Sequence, residues 1–265
     1  MLHNKSLQLT KIPVTNFASQ NIAPGIFATE LSVTRIKEVR MELKNIVPWG
    51  RSFQEYKKMF CLTDQDITKS ILGCGDGPAS FNTVLTKRGG SVISIDPTYS
   101  FSREQLKSRI AEVYDEIMPQ MEENQDNYIW DSIASVKELG EVRMSAMEAF
   151  LVDYERGKEE KRYIEAALPS LPFESGQFDL AVCSHFLFLY SEQINLQQHL
   201  DAIQELTRVA KEVRVYPLVT LKDNLSPHLE TVINHLSKLG IKCELVDSEY
   251  RFQKGAHKML VVKSL

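Results

Sequence analysis

Residues 71–77 read Ile-Leu-Gly-Cys-Gly-Asp-Gly, three glycines at alternate positions directly after an apolar pair. A strand that turns tightly into a helix needs positive φ or close backbone approach, and glycine permits both. With Gly73, Gly75 and Gly77 there, main-chain N–H groups stand bare where a helix begins, a surface for a ligand passing close to the backbone. Residues 78–90 read as that helix, with Pro78 at its start and Gly89 and Gly90 at its end. A second strand, Ser91 to Asp96, follows and ends in an acid about twenty residues beyond the turn. A carboxylate there is placed to accept hydrogen bonds from both hydroxyls of a ribose. Packing alone accounts for a glycine turn; strand, turn, helix, strand and acid in series point to a nucleoside-bearing cofactor.

The same residues restrict which cofactor. A dinucleotide fingerprint, G-x-G-x-x-G, would place its third glycine at position 78, which is Pro78. The G-x-x-x-x-G-K-[ST] loop of a nucleoside triphosphate site is missing as well. No pyrophosphate has to be cradled.

Downstream, apolar strand patterns recur at residues 178–189, 211–219, 243–248 and 258–265. Helical patterns fall between them, around residues 196–210 and 227–239. The second carries Leu229, Val232, Ile233, Leu236 and Leu239 on one face and stops at Gly240. Such alternation predicts an α/β fold, a Rossmann-like doubly wound sheet of about seven strands, mostly parallel. The link between the last two strands, "DSEYRFQKGAHK", is too short for a helical crossover, so the C-terminal edge is expected to be an antiparallel hairpin.

Residues 1–66 read as an added N-terminal layer. Residues 1 to about 28 lack a period and suggest an extended arm. A helix is expected from Ser32, with Val33, Ile36, Leu43, Ile46 and Val47 roughly on one face, stopping at Pro48. Ser52 and Glu55 form a capping box that opens another helix carrying Tyr56 and Phe60. Residues 67–265 form the core, interrupted at about 114–162 by a Met- and charge-rich helical insertion. That insertion reads either as a surface addition with a solvated charged face or as a lid on a pocket.

Thirty-one basic and 35 acidic side chains leave a formal charge of −4, with no strong field for nucleic acid or an anionic membrane. No apolar run reaches membrane-span length, and residues 1–17 lack a signal peptide's apolar core, so a cytoplasmic protein is expected. Cys61, Cys74, Cys183 and Cys243 are far apart, and the six histidines do not cluster with them, so no metal site is expected. Cys74 and Cys183 read as small buried residues.

With these motifs in hand, "ILGCGDG", "VISIDP" and "LPSLPFESGQFDLAVCSHFLFLYSE" resemble the successive motifs of class I S-adenosylmethionine-dependent methyltransferases. The last is similar to the "LPF…FD" stretch of their small-molecule branches. The resemblance implies S-adenosyl-L-methionine as cofactor, with the loop Gly73, Cys74, Gly75, Gly77 under its methionine part. It implies Asp96, followed by Pro97, on the ribose, Ala167 and Leu168 over the adenine, and Ser184, His185 and Phe186 at the reacting centre. The chain departs from the family's pattern twice. Ile71 stands where the family usually carries an acid that helps hold the cofactor's amino group. Ala167 stands where the adenine loop often carries Asp, which leaves adenine to backbone N–H groups and apolar contact, with Tyr99 and Phe101 as candidate ring partners or core. Asp76 reads either as a substitute ligand for the amino group or as a helix N-cap.

Methyl transfer needs alignment more than a strong catalytic signature, and a base helps only where the acceptor must lose a proton. His185, directly after the fourth strand, is the candidate base, its alternative being a structural histidine; Tyr190 reads as packing. Arg51, in "PWGRSF", is a candidate for the cofactor's carboxylate or a surface residue beside an anchoring Trp49. Tyr250, Arg251, Phe252 and His257 read as the rim of an acceptor pocket or as a plain hairpin connection. The leading expectation is a methyltransferase acting on a small-molecule acceptor. A nicotinamide-dependent oxidoreductase, or a non-catalytic cofactor-binding protein on the same fold, are the alternatives.

Overall fold

The computed structural model describes residues 47–263; the arm and first helix read over residues 1–46 lie outside the described residues. Seven strands form one sheet in the order β3-β2-β1-β4-β5-β7-β6. They are β1 (Ser70–Cys74), β2 (Ser91–Ile95), β3 (Tyr163–Ile164), β4 (Phe178–Ser184), β5 (Ala210–Tyr216), β6 (Lys242–Asp247) and β7 (Lys258–Lys263). β1 runs parallel to β2 on one side and to β4 on the other, and β2–β3 and β4–β5 are also parallel. β7 is antiparallel to both β5 and β6. The doubly wound sheet and the terminal hairpin are those expected. The reversed C-terminal strand slots inside β6, which becomes the outermost strand, because the short link lets the chain fold straight back.

Both faces of the sheet are covered, which is why the central strands β1 and β4 bury side chains on both sides. Successive residues point to opposite faces. Ile71, Leu180 and Val182 join Tyr56 and Phe81 in one core, while Leu72, Ala181 and Cys183 join Ile203 and Leu206 in the other. Helix α1 (Phe53–Met59) begins at the capping box: the Ser52 hydroxyl accepts from the Glu55 N–H at 3.2 Å, and the Glu55 carboxylate accepts from the Ser52 N–H at 2.8 Å. Its Tyr56 stacks on Phe81 of α2 (Phe81–Lys87), ring centroids 4.5 Å apart. α2 starts three residues later than Pro78 suggested, because residues 76–80 are spent on a turn.

Between β2 and β3 lie α3 (Arg103–Glu123) and α4 (Val136–Glu159), packed on each other. The solvated charged face read there is only part of the picture. Arg143, in the middle of α4, is 1% exposed and pairs with Glu55 of α1 at 2.6 Å. Tyr250 completes the cluster, donating to Glu55 at 2.7 Å. A charge taken out of water needs a partner, and these three lock α1, α4 and the loop after β6 together. β3 is two residues long, too short for an apolar pattern to reveal. Helices α5 (Leu196–Val209) and α6 (Leu229–Lys238) complete the layers.

Candidate functional site

A cavity of about 200 Å³ opens at the C-terminal ends of β1, β2 and β4. β2 and β4 leave β1 on opposite sides, so this is the switch point where open α/β sheets bind ligands. Four segments far apart in the chain line it. Cys74, Gly75, Asp76 and Gly77 form its floor; Asp96, Pro97 and Thr98 follow β2; Ala166–Pro169 follow β3; Ser184–Leu187 follow β4. Pro48, Trp49, Arg51 and Tyr56 come over from the N-terminal side, and Ile194, Gln198 and Ala202 from around α5.

The turn after β1 is held by its own main chain. Gly75 and Gly77 have φ of +68° and +50°, the left-handed region that glycine enters freely. Their N–H groups are not bare as the sequence suggested: that of Gly75 donates to Ile95 O at 2.9 Å and that of Gly77 to Asp96 Oδ2 at 3.0 Å. Asp96 Oδ1 accepts from the main chain and hydroxyl of Thr98 at 2.8 and 2.6 Å. Burial pushes the Asp96 carboxyl up from its ordinary value, against the pull of these donors.

Gly73 does not line the cavity. A Cβ there would stand 1.9 Å from Asp76 Oδ2, so the missing side chain makes room for the Asp76 carboxylate. Asp76 is no helix cap; Ser80 occupies the N-cap of α2. The Asp76 side chain folds inward, accepting from the Tyr56 hydroxyl at 2.8 Å and the Ser94 hydroxyl at 2.6 Å. Burial raises its pKa to about 7, the two hydroxyls opposing and Asp96 adding repulsion. Ile71 is fully buried in the core and offers the cavity nothing.

His185 lies in the cavity wall with φ +49°, a left-handed conformation uncommon outside glycine. It is pinned there: its N–H donates to Tyr216 O at 2.7 Å, and Nδ1 lies 3.0 Å from the Ser184 hydroxyl. Burial, with the Arg51 and Arg143 charges, holds its pKa well below the usual histidine range. Arg51 also lines the cavity. One Nη donates to Trp49 O, and Nε is buried with no hydrogen-bond partner among the described residues. Among the described residues no carboxylate forms an ion pair with it, whereas Arg143 pairs with Glu55 at 2.6 Å. Burial first and Arg143 second lower the Arg51 pKa.

Other expectations resolve as packing. Tyr99 is 1% exposed and lies outside the cavity, its hydroxyl donating to Gly77 O at 2.8 Å. Tyr190 is buried, and its hydroxyl accepts from the Val47 N–H. Tyr250 and Phe252 are buried in the hairpin connection, and no residue of that connection lines the cavity. Neither does any residue of α3 or α4, so among the described residues the insertion does not line the cavity. Tyr56 and Gln198 are cavity residues that sequence reasoning missed. Tyr56 carried the signal of a residue facing inward just after the capping box; Gln198 forms the capping box with Asn195 at the start of α5, a local role that carries no sign of a ligand.

No protein-family model matches the chain. An uncharacterized protein of Methanocaldococcus jannaschii, MJ0045, is 28% identical over 224 residues, spanning 84% of this chain and 98% of that protein. Among solved structures, a SAM-dependent methyltransferase from Aquifex aeolicus is 16% identical, with 80% of this chain and 88% of that chain covered and a TM-score of 0.39. Magnesium protoporphyrin IX methyltransferase from Synechocystis, solved with bound SAM, is 10% identical, with 76% and 73% covered and a TM-score of 0.40. At such scores nothing about activity carries across. The sheet order β3-β2-β1-β4-β5-β7-β6 is itself the Rossmann-like doubly wound arrangement that the sequence predicted.

Proposed function

We propose that this chain binds S-adenosylmethionine in the cavity and transfers its methyl group to a small-molecule acceptor. The observation that most supports this is the convergence of the glycine turn, the Asp96 carboxylate, the loop at Ala167 and Leu168, and Ser184–His185 on one cavity. Under this reading Asp96 receives the ribose hydroxyls, beside Pro97. Ala167 and Leu168 offer adenine their main chain and an apolar surface. Cys74, Gly75 and Gly77 let the ligand approach the backbone, and Gly73 acts from behind by admitting Asp76. Arg51 pairs with the carboxylate of the methionine part, which would give its orphaned Nε an acceptor.

When bound, the cofactor supplies a methyl group on a sulfonium, already joined to a good leaving group. What remains for the chain is alignment and exclusion of water. Ile95, Leu187, Ile194 and Ala202 provide apolar wall for the second task. His185, held neutral, accepts a hydrogen bond from the acceptor or takes its proton as the new bond forms.

Calorimetric titration with S-adenosylhomocysteine and, separately, NAD tests the cofactor. Binding of the first and none of the second is expected; the reverse would overturn the reading. Transfer of labelled methyl to members of a small-molecule acceptor panel tests the reaction. Cofactor bound but never consumed across that panel would leave a binding protein.

A further inference from the structure

Two free thiols meet at the floor of the cavity. Cys74 ends β1, Cys183 is the next-to-last residue of β4, and the two are direct partners in the parallel register of those strands. Partnered residues of neighbouring strands carry their side chains on the same face, and both cysteines belong to the same core cluster. The Cys183 thiol first, and burial second, push the Cys74 thiol well up from its ordinary value. Cys74 is 2% exposed and lines the cavity, whereas Cys183 is fully buried and does not. One sulfur is therefore open to a small molecule entering the cavity, and the other waits behind it. Cys61 and Cys243 are half-buried and lie outside the cavity.

We propose that Cys74 and Cys183 form an oxidisable dithiol, reached through the empty cavity and closed into a disulfide by hydrogen peroxide. Access divides the chemistry between the two sulfurs. The Cys74 thiolate attacks one peroxide oxygen, the O–O bond breaks, and a sulfenic acid and one water are left. The Cys183 thiolate then attacks the Cys74 sulfur, the S–O bond breaks, and the hydroxyl leaves as a second water. In sum, two thiols lose two electrons and two protons, and one peroxide is reduced to two waters. With its thiol pushed up, Cys74 holds little thiolate and reacts slowly.

Closing the bond has a consequence for the cavity. Neighbouring strands lie about 4.8 Å apart, whereas the Cβ atoms of a disulfide prefer about 3.8 Å. The bond therefore draws the ends of β1 and β4 together, and with them Gly75 and Ser184, which follow the two cysteines and line the cavity. A bond closed under such tension is readily reduced, so a thiol reductant restores the floor. A ligand lying over Cys74 shuts the peroxide out. That the ligand is the cofactor rests on the reading of the cavity as an S-adenosylmethionine site; the thiol pair itself does not.

The test exposes the folded, ligand-free protein to hydrogen peroxide for a prolonged period and follows it by mass spectrometry without reduction. Loss of two hydrogens and a linked pair of peptides bearing Cys74 and Cys183 are expected. The same result is expected in a chain carrying Cys61→Ser and Cys243→Ser, where these two cysteines are the only ones left. Adding Cys183→Ala to that chain removes the second thiol, and dimedone is expected to trap the sulfenic acid on Cys74. By calorimetry, affinity for S-adenosylhomocysteine is expected to fall by about tenfold or more on bridging and to return with dithiothreitol. Saturating S-adenosylhomocysteine during exposure is expected to slow the bridging by about tenfold or more. Thiols that stay free in the folded protein, or bridging equally fast with that ligand bound, would overturn the proposal. Bridging in a protein whose reduced form does not bind S-adenosylhomocysteine would remove the adenosyl reading and leave the thiol pair standing.

Discussion

The main-chain N–H of Gly77 donates to Oδ2 of Asp96 at 3.0 Å, so the turn after β1 and the end of β2 are one hydrogen-bonded unit. Asp96 is thus both a scaffold for the turn and the acid facing the cavity. Its other oxygen caps the short 3-10 turn Pro97–Ser100 through Thr98. Asp96→Ala removes both sets of contacts. We expect affinity for S-adenosylhomocysteine to drop by about 10²-fold, the loss of one or two hydrogen bonds to a charged acceptor. Calorimetry checks it; unchanged affinity would remove the ribose assignment.

His185 separates a chemical role from a structural one. The site demands positive φ, which Asn tolerates better than most residues. His185→Asn should therefore fold with a thermal midpoint within a few degrees of the original and bind cofactor normally. If the histidine moves the acceptor's proton, kcat falls by about 10²-fold or more. Because its pKa lies well below the ordinary range, kcat of the unaltered protein should show no inflection near pH 6.5 from this residue. A variant that retains full rate would make His185 a wall residue only.

The glycine turn, Asp96 and the strand ends were legible because each is local: a residue type at a fixed offset from an apolar run. What escaped the sequence is what the chain joins over distance. Glu55 could be read as half of a capping box, yet nothing near it announces Arg143, 88 positions away. The charges of α4 looked solvated because charge in sequence carries no burial. Asp76 looked like a cap because its neighbours are turn residues. Only the empty space over Gly73, between two strands, shows why the side chain turns inward.

The Glu55–Arg143 pair makes a stability prediction. Its neighbours hold the Glu55 carboxyl down at about 2, the attraction and hydrogen bonds of Arg143 overcoming the upward push of burial. A folded-state pKa below the unfolded one adds stability that is present above about pH 4.5 and lost as pH falls toward 2. Glu55→Gln leaves Arg143 buried without a counter-charge and should cost about 3–5 kcal/mol at pH 7. Urea denaturation at pH 7 and pH 3 checks it: the deficit of the variant should shrink at the lower pH.

Asp76 acts in the opposite direction. Its folded pKa, about 7, is above the unfolded one, so the native apo protein holds the proton more tightly. Stability from this group is full below about pH 4 and declines as pH rises to about 7, by an amount on the order of a few kcal/mol. Asp76→Asn cannot ionise, so at pH 8 the apo variant should be more stable than the unaltered apo protein. At pH 4 the two should agree. Thermal denaturation without ligand decides this, and a variant less stable at pH 8 would mean that the carboxylate already has a cationic partner.

Gly73→Ala is the sharpest probe of how the turn works, because it changes a residue that does not line the cavity. The new Cβ would lie 1.9 Å from Oδ2 and 2.6 Å from Cγ of Asp76, far inside contact distance, so the carboxylate must leave its pocket. Leaving breaks the bonds to Tyr56 and Ser94, and the variant should lose about 2 kcal/mol or more. If the glycine is needed only to admit that side chain, removing it first should erase most of the cost. Gly73→Ala should then be far milder in an Asp76→Ala background, with a coupling energy of about 1–3 kcal/mol in the double-mutant cycle. Additive effects would mean that β1 needs glycine at 73 for its own backbone, and the explanation of the first glycine in the turn would have to change.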